Sequence, residues 1–344
     1  ALRLEPDNLQ VKWNKSLLYL SQKKFAQGWA LYDVGAMAGT RPRQVTPRVL
    51  NNTDYSLEYF RDKVVYIHSE QGIGDEIMFA SCYQEIIDVA RSCTVECDDR
   101  LAPLFQRSLR NAHIVAKSDT LLNNITNVKP DAELYISAAS IPRFVRRKLD
   151  DFPIHTQYLR AYDKARQVWQ ARYKKLGDGL KIGISWRGGC GEESKKRSSD
   201  LQQWSNIIAT PGCHFVNLQY GKVDQEIQQA ARPVHDWPDT DHFNNIEQLA
   251  AQIAGLDLVI TVSNVTAHLA GALGVPVWIM LPYSPNWRWF EGNNPSLWYK
   301  NARLFRQANF ADWESVTLAV ETELHKVLKN HEQASTQLDM MFVN

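Results

Sequence analysis

The chain is predicted to be an α/β protein with two doubly wound domains, and three features of the sequence indicate this. From about residue 60, short apolar runs alternate with segments of helical periodicity. The alternation is interrupted near residue 160 and then resumes. The 344 residues are 44% hydrophobic and 22% charged, which is enough for a large core divided between two or three domains. Buried strands separated by helices imply parallel sheets with right-handed crossovers.

Residues 1–45 precede this alternation and are predicted to be helical. Apolar residues recur at helical spacing in "LQVKWNKSLLYLSQ" and "KKFAQGWALYDVGA", and Pro6 marks the end of an earlier helix. Such a pair resembles the last copy of a tetratricopeptide array, in which each copy packs on a neighbour. An ordinary helical hairpin that covers the next domain fits the same residues. Because the chain begins at Ala1 rather than at a methionine, we expect a longer parent protein.

Residues 46–160 form the first predicted α/β domain. Strands are expected in "KVVYIHS", "CTVEC", "HIVAK" and "AELYISAAS", and helices over residues 76–91 and in "RLAPLFQRSL". The stretch "DDFPIHTQYLRAYDKARQ" breaks the rhythm at Pro153 and then starts a long charged helix. We therefore place the domain boundary near residue 160.

Residues 161–330 form the second predicted α/β domain. Strands are expected in "KIGISWRG", "HFVNLQY", "LDLVITV" and "PVWIMLP", with helices in "DLQQWSNIIAT", "NIEQLAAQIAG", "VTAHLAGALG" and "WESVTLAVETELHKVL". Two such domains in series are expected to leave a ligand cleft at the carboxyl ends of their strands. The tail, residues 331–344, has weak periodicity and is expected to pack poorly.

An acidic residue at the first strand-to-helix turn is the leading candidate for chemistry. In "HSEQGIGDEIMFA" the chain leaves a strand through Gly72 and Gly74 and places Asp75 at the start of a helix. Glycines that make a tight turn and an acid that caps the helix explain the pattern without any activity. Taken alone, the pattern favours that explanation.

The stretch "LDLVITVSNVTAHLAGALGVPVW" is predicted to form an anion site. Ser263 and Asn264 are good N-cap residues after a buried strand, and the unpaired N–H groups of a helix start favour phosphate. A capped helix without a ligand fits as well. In "GISWRGGCGEESKKRSSD", Arg197 is the expected phosphate ligand because its planar fork matches phosphate oxygens, whereas Lys195 and Lys196 are expected to be solvated.

Composition and charge exclude several classes of function. The 39 basic and 38 acidic residues give a net charge of +1, which indicates neither a nucleic-acid partner nor a membrane surface. No apolar run is long enough for a membrane span. The cysteines are odd in number and lack metal-ligand spacing, so no metal site is predicted and a cytoplasmic location fits best. They are Cys82, Cys93, Cys97, Cys190 and Cys213.

Eight motifs in register resemble bacterial tetratricopeptide-repeat proteins with a heptosyltransferase-like glycosyltransferase domain, similar to glycosyltransferase family 9. They are "FAQGWALYD", "EQGIGDEIMFA", "IGISWRGG", "KRSSDL", "NLQYG", "LDLVITVSNVTAHLAGALGVPVW", "NWRW" and "SLWYKNARLFRQ". The resemblance covers the chain to about residue 328. It implies a GT-B fold with two Rossmann-like domains, the acceptor side N-terminal and the nucleotide-sugar side C-terminal. It also implies catalysis without a metal or cofactor, and a last helix that packs back toward the N-terminal domain.

The resemblance further implies roles for individual residues. Asp75 maps onto the proposed catalytic base, which would take the proton of an acceptor hydroxyl on a protein or glycan. Arg197 and the helix start would stabilise the leaving nucleoside diphosphate, and the helical N-terminal segment could engage a protein partner. The residues expected at the nucleotide-sugar site are Gly72, Gly74, Arg197, Gln219, Ser263, Asn264, Val265, Thr266 and His268, with weaker base or ribose contacts from the loop around Asp236 and Trp237.

The sequence departs from the family pattern at several positions. Ser263 and Asn264 stand where many relatives have Asp-Thr, Asn286 replaces the acid of an Asp-Trp-Arg-Trp motif, and Leu297 and Lys300 replace two prolines. The missing acid at residue 263 keeps open an alternative function, a catalytically degenerate module that binds a nucleotide or a protein. A nicotinamide-dependent oxidoreductase is disfavoured because "GIGDEI" lacks the third glycine of the dinucleotide-binding pattern.

Overall fold

The computed structural model describes residues 4–41, 56–117, 132–152, 157–189, 192–292 and 295–342. The chain divides into two compact units. Unit 1 comprises Ala1–Tyr162, Gly271–Gly274 and Pro285–Asn301, and unit 2 comprises Asp163–Ala270, Val275–Ser284 and Ala302–Asn344. Because each unit includes separate segments of the chain, the linear domain limits predicted at residues 45, 160 and 330 remain predictions.

Over residues 4–41, the N-terminal segment forms three helices, α1 (Leu9–Ser21), α2 (Phe25–Tyr32) and α3 (Val34–Met37). Asn8 caps α1, since its side chain accepts a hydrogen bond from the Val11 backbone N–H at 3.0 Å. A Cβ atom at Gly28 would lie 2.6 Å from Leu20, so the glycine is needed for the close approach of α1 and α2. The helices lie where the sequence predicts them, and their identity as a tetratricopeptide copy stays a prediction.

Unit 1 is built on a parallel sheet that has four strands in the part of the chain described. These are β1 (Val64–His68), β2 (Ser92–Cys97), β3 (Ala112–Ala116) and β4 (Leu134–Ser137). Their order is β3-β2-β1-β4, so the chain moves from β1 to one side and returns on the other. The carboxyl ends of β1 and β4 therefore form a topological switch point, where open α/β sheets bind their ligands.

Four helices accompany the strands of unit 1 within the described ranges: α4 (Ile73–Ala80), α5 (Tyr83–Val89), α6 (Ala102–Ser108) and α7 (Pro142–Val145). The single helix predicted over residues 76–91 is therefore divided, and it begins earlier than expected. At the division the Ser81 hydroxyl donates a hydrogen bond to the Met78 carbonyl at 2.7 Å. A hydroxyl that bonds to the local backbone in this way competes with continuation of the helix.

Unit 2 begins with α8 (Asp163–Lys174), β5 (Leu180–Ser185), α9 (Glu192–Lys195), α10 (Ser205–Ile208), β6 (Cys213–Asn217), α11 (Asp224–Gln228), β7 (Val234–His235) and α12 (Ile246–Ile253). The chain continues through β8 (Leu258–Val262), α13 (Val265–Ala272), β9 (Val277–Leu281), β10 (Ala302–Arg306) and α14 (Trp313–Phe342). The described strands form a parallel sheet in the order β10-β9-β8-β5-β6-β7. Its switch point lies between β5 and β8.

Two strands of this sheet were not predicted from the sequence. The first, β7, has only two residues, which is too short to show a period. The second, β10, follows a segment rich in proline, asparagine and tryptophan, and its burial alternates only partly because it pairs on one side with β9.

Helix α14 packs on the core of unit 2. Trp313, Val316, Val320 and Leu324 belong to the same apolar cluster as the residues of β5 and β8. The expectation that this helix packs back toward the N-terminal domain stays a prediction. Its backbone continues to Phe342, and the predicted poor packing of the tail concerns side chains outside those described. Within the described ranges, none of the helices combines the length and apolar character needed to cross a bilayer.

Candidate functional site

Asp75 lies at the switch point of unit 1. The chain leaves β1 at His68, and α4 begins at Ile73 with Gly72 as its N-cap. Asp75 is the third residue of the helix, and its Oδ2 atom accepts a hydrogen bond from the Gly72 backbone N–H at 3.4 Å. This hydrogen bond is long and therefore weak, so the carboxylate contributes little to capping of the helix. The side chain is 22% exposed and remains accessible.

Arg288 forms an ion pair with Asp75. The guanidinium contacts Asp75 Oδ1 and also donates hydrogen bonds to Gln71 Oε1 at 2.9 Å and to Asn286 Oδ1 at 2.6 Å. It packs over the Trp287 ring, 4.8 Å from the centroid, and only 12% of the side chain is exposed. No pattern in the sequence links Arg288 to Asp75. Only its place in the unusual "NWRW" motif could have drawn attention to it.

Gln71 has a strained backbone next to this ion pair. Its φ angle is +66°, in the left-handed region that residues other than glycine rarely adopt. Its Nε2 atom donates to the Tyr32 hydroxyl at 3.3 Å, while Oε1 accepts from Arg288. Strained residues cluster at functional sites, where the surrounding contacts maintain the conformation.

A buried network of charged side chains contacts the loop between β1 and α4. Arg41 donates through Nε to Glu70 Oε2 at 3.2 Å and through its first amino group to Asp33 Oδ1 at 3.1 Å. Glu70 also accepts from the Ala139 backbone N–H at 3.1 Å, and Arg143 pairs with Asp33. These charges are buried and mutually compensated, so the network fixes the loop between β1 and α4 relative to α2 and β4.

Glu76 is a second acid at the start of α4, and no motif in the sequence marks it as a site residue. The side chain is 2% exposed, and its Oε2 atom accepts from the Asp98 backbone N–H at 2.8 Å. Burial raises the pKa of Glu76 to about 8. The carboxyl is therefore mostly protonated at neutral pH.

The predicted anion site lies at the switch point of unit 2. Asn264 caps α13, since its Oδ1 atom accepts from the Ala267 backbone N–H at 3.2 Å. Oδ1 also accepts from Thr261, and Nδ2 donates to Ser185 Oγ at 2.8 Å and to the Arg187 carbonyl at 3.0 Å. All four hydrogen-bonding positions of the amide are thus occupied. If Asn264 contacts a ligand, it does so through its backbone atoms.

Gln219 holds the loop that follows β5. Its Oε1 atom accepts from the backbone N–H groups of Trp186 at 3.0 Å and Arg187 at 2.8 Å, and from Ser185 Oγ at 3.0 Å. Its Nε2 atom donates to the Tyr220 carbonyl at 3.2 Å. The side chain is buried and committed to this loop, so its predicted base or ribose contact remains a prediction.

Arg197 packs against two glycines at the same edge of the sheet. A Cβ atom at Gly188 would lie 2.9 Å from the Asn264 Cβ atom, and one at Gly189, where φ is +65°, would lie 2.6 Å from the Arg197 guanidinium. Within the described ranges, Arg197 Nε is buried and makes no hydrogen bond. The glycine pair therefore lets Arg197 and the start of α13 share one small region. Their binding of phosphate stays a prediction.

The remaining predicted residues occupy the first turns of the two helices. Gly74 lies in the first turn of α4, and Val265 and Thr266 lie in the first turn of α13. Ser263, Thr266 and His268 are buried.

Two cavities open at this edge of unit 2. The larger has a volume of about 720 Å³ and is bordered by Arg187, Gly189, Lys195, Ser198 and Trp313, among others. The smaller, about 410 Å³, includes Asp236, Trp237 and His242 in its wall. Both volumes lie within the range of small-ligand sites, roughly 300–1,000 Å³. In the described ranges, no group of three or more His, Cys, Asp or Glu side chains is arranged to hold a metal ion.

Comparison with known proteins identifies the fold. No family model matches the chain. It is 30% identical over 338 residues to protein FlbA of Caulobacter vibrioides, an alignment that covers 93% of this chain and 56% of that protein. The chain thus spans little more than half of its relative.

Two solved structures share the architecture. The glycosyl transferase family 9 protein of Veillonella parvula has 12% identity and a TM-score of 0.55, covering 78% of this chain and 97% of that one. The ADP-heptose LPS heptosyltransferase II of E. coli has 13% identity and a TM-score of 0.55, covering 78% and 99%. The chain has the α/β fold with parallel sheets of these two glycosyltransferases, which confirms the predicted fold at that level.

Proposed function

We propose that this chain is a glycosyltransferase that moves a sugar from a nucleotide-sugar donor to a hydroxyl of a protein or glycan acceptor. The observation that carries the proposal is the accessible carboxylate of Asp75 at a sheet switch point, in a chain with the fold of heptosyltransferases. In the reaction, the acceptor oxygen forms a bond to the anomeric carbon. The bond from that carbon to the diphosphate oxygen breaks, and the nucleoside diphosphate leaves.

Asp75 is the proposed general base. The acceptor hydroxyl loses its proton as it attacks, and a carboxylate within hydrogen-bond reach can accept that proton. One carboxylate oxygen faces Arg288, and among the residues that the structure describes the other makes only the long contact with Gly72. That second oxygen is the one we assign to the acceptor hydroxyl.

The donor diphosphate is placed at the switch point of unit 2. The start of α13, residues 263–266, offers backbone N–H groups and the positive end of the helix dipole, and Arg197 adds a fixed cation against the glycine pair. These groups would stabilise the charge that develops on the leaving diphosphate. We propose that they do so without a metal ion, and that the larger cavity receives the nucleotide portion of the donor.

We further propose a cytoplasmic protein whose N-terminal helices engage a protein partner or a protein acceptor. A net charge of +1 favours no binding to nucleic acid.

A catalytically degenerate binding module is the second candidate function. It is favoured by the absence of an acid at Ser263 and by the complete use of the Asn264 amide in the scaffold. In this function the site of unit 2 would hold a nucleotide without transferring a sugar.

Nucleotide binding and turnover distinguish the two functions. The first measurement is a thermal-shift screen of the chain against nucleoside diphosphates and nucleotide sugars. The second is donor hydrolysis or transfer, followed by release of nucleoside diphosphate. Binding with turnover supports the transferase, binding without turnover supports the module, and no binding contradicts both.

A further inference from the structure

A chain of contacts joins Asp75 to the N-terminal helices within unit 1. Arg288 pairs with Asp75, Gln71 accepts a hydrogen bond from Arg288, and the Gln71 amide donates in turn to the Tyr32 hydroxyl. Tyr32 is the last residue of α2. The carboxylate that we assign as the base is therefore three contacts away from the helical segment.

The direction of the Gln71 amide matters for Arg288. An amide has a donor end and an acceptor end, and a guanidinium has donors only. The Tyr32 hydroxyl accepts from Nε2, which turns Oε1 toward Arg288. With the opposite orientation, the amide nitrogen would face the cation and the hydrogen bond would be lost. Because a guanidinium only donates, Arg288 determines which end of the amide faces it. The Tyr32 hydroxyl accepts from the other end, Nε2, and so holds Gln71 in that orientation.

The position of Tyr32 is itself fixed by packing. Its ring lies 4.9 Å from Trp13, 5.2 Å from Trp29 and 5.6 Å from Trp287, and the Arg41 guanidinium lies 4.6 Å from its centroid. Burial raises the pKa of Tyr32, so the hydroxyl stays neutral. A buried aromatic ring between several others loses little further freedom when it holds a hydrogen bond.

Arg288 is equally constrained on its other sides. Asn286 caps the short helix Trp287–Trp289 and accepts from both the Arg288 backbone N–H at 3.2 Å and the guanidinium. Trp287 lies beneath the guanidinium and also meets Trp29 of α2 at 5.5 Å. The helical segment therefore supports Arg288 both through Gln71 and through Trp287.

We infer that the N-terminal helices position the general base, with Tyr32, Gln71 and Arg288 as positioning residues that fix one oxygen of the Asp75 carboxylate and leave the other for the acceptor. The inference rests on the proposed function. It assigns the helical segment to the catalytic apparatus of unit 1, in addition to any partner that the segment binds. Positioning of this kind is effective because misplacement of a reacting group by about 1 Å can cost about 10²-fold in rate.

The test uses Tyr32→Phe, Arg288→Ala and Arg288→Lys in the full chain. Tyr59→Phe and Arg61→Ala are the matched controls, since Tyr59 packs on Phe60 and Phe144 and Arg61 makes an exposed pair with Glu58. Hydrogen exchange of the peptide covering residues 69–80 reports the order of the loop, and kcat and KM report transfer. Melting temperature identifies any variant that fails to fold.

We expect faster exchange over residues 69–80 in Tyr32→Phe and Arg288→Ala, with no change in the controls. We expect kcat to fall by about ten- to a hundredfold in Arg288→Ala, by less in Tyr32→Phe and Arg288→Lys, with little change in the KM of the donor. Added guanidinium should restore part of kcat in Arg288→Ala but none in Asp75→Asn. A purely structural role of Arg288 would not produce this rescue.

Exchange that stays at the wild-type rate in both variants overturns the inference, whatever the activity. Normal kcat in Arg288→Ala overturns it as well, provided that Asp75→Asn is inactive. If Asp75→Asn transfers sugar as fast as the wild type, the assignment of Asp75 as base fails instead, and this inference fails with it. A wild type that turns over no donor contradicts the proposed function directly.

Discussion

Replacement of Glu76 by glutamine should make the protein more stable at alkaline pH. The carboxyl is 2% exposed, and burial raises its pKa from 4.5 to about 8. An acid whose pKa is raised in the folded state binds more protons there than in the unfolded chain. It therefore costs nothing below the unfolded pKa and destabilises the folded state increasingly as the pH rises toward the folded pKa.

The size of the effect follows from the difference between the two pKa values. The two pKa values differ by about 3.5, and each pKa unit corresponds to about 1.36 kcal/mol. The free energy of unfolding should therefore fall by an amount on the order of 5 kcal/mol between about pH 4.5 and pH 8. Glutamine keeps an acceptor for the Asp98 backbone N–H and removes the ionisation. Its amide nitrogen needs a partner in the same buried space, which offsets part of the gain.

The assay is urea unfolding of the wild type and Glu76→Gln at several pH values between 5 and 9. We expect the wild type to lose stability steadily with pH, and the variant to show a shallower slope and greater stability at pH 9. Glu58→Gln is the control, because Glu58 is exposed and should not alter the slope in this range. Parallel slopes for the wild type and Glu76→Gln would refute the assignment of a protonated buried carboxyl.

Three further predictions concern the site. Asp75→Asn should lower the kcat of transfer by about 10²–10⁴-fold, while the melting temperature and donor binding in calorimetry stay near wild type. Normal turnover would show that Asp75 is only a helix cap. Arg197→Ala should weaken the binding of nucleoside diphosphate by about 1.5–3 kcal/mol in calorimetry, whereas Lys196→Ala, at an exposed position, should not. Equal affinities of Arg197→Ala and the wild type would exclude Arg197 from the anion site. Gln71→Asn should tolerate the left-handed backbone and keep the melting temperature, but its shorter side chain cannot bridge both partners, so kcat should fall; undiminished kcat would argue against the bridge.

The sequence predicts the strands well where an apolar run is flanked by turn residues, as in β1, β5, β8 and β9. It fails where periodicity is weak or where a local side chain intervenes. Ser81 divides a helix that has continuous apolar spacing, and β7 is too short to show alternation. Such local competition between side chain and backbone is not visible in a hydrophobic pattern.

The candidate site is predicted only in its local parts. Asp75 is predicted from one motif and the start of α13 from another. The residues of each motif lie close together in the sequence. The contact of Arg288 with Gln71 joins positions that are 217 residues apart, and no spacing rule connects them. Likewise, the left-handed φ of Gln71 follows from contacts of its side chain, because nothing in its residue type favours that conformation.

The buried network of Arg41, Glu70, Asp33 and Arg143 limits how this protein could exchange segments with others during evolution. Repeat arrays usually gain and lose copies freely, because each copy contacts only its neighbours. Here, recombination that replaced residues up to 41 would remove Arg41, the buried ion-pair partner of Glu70, and Asp33, the buried ion-pair partner of Arg143. An uncompensated buried charge costs about 3–5 kcal/mol, a large share of the roughly 5–15 kcal/mol that stabilises a domain. The N-terminal helices and the first sheet are therefore expected to be inherited together.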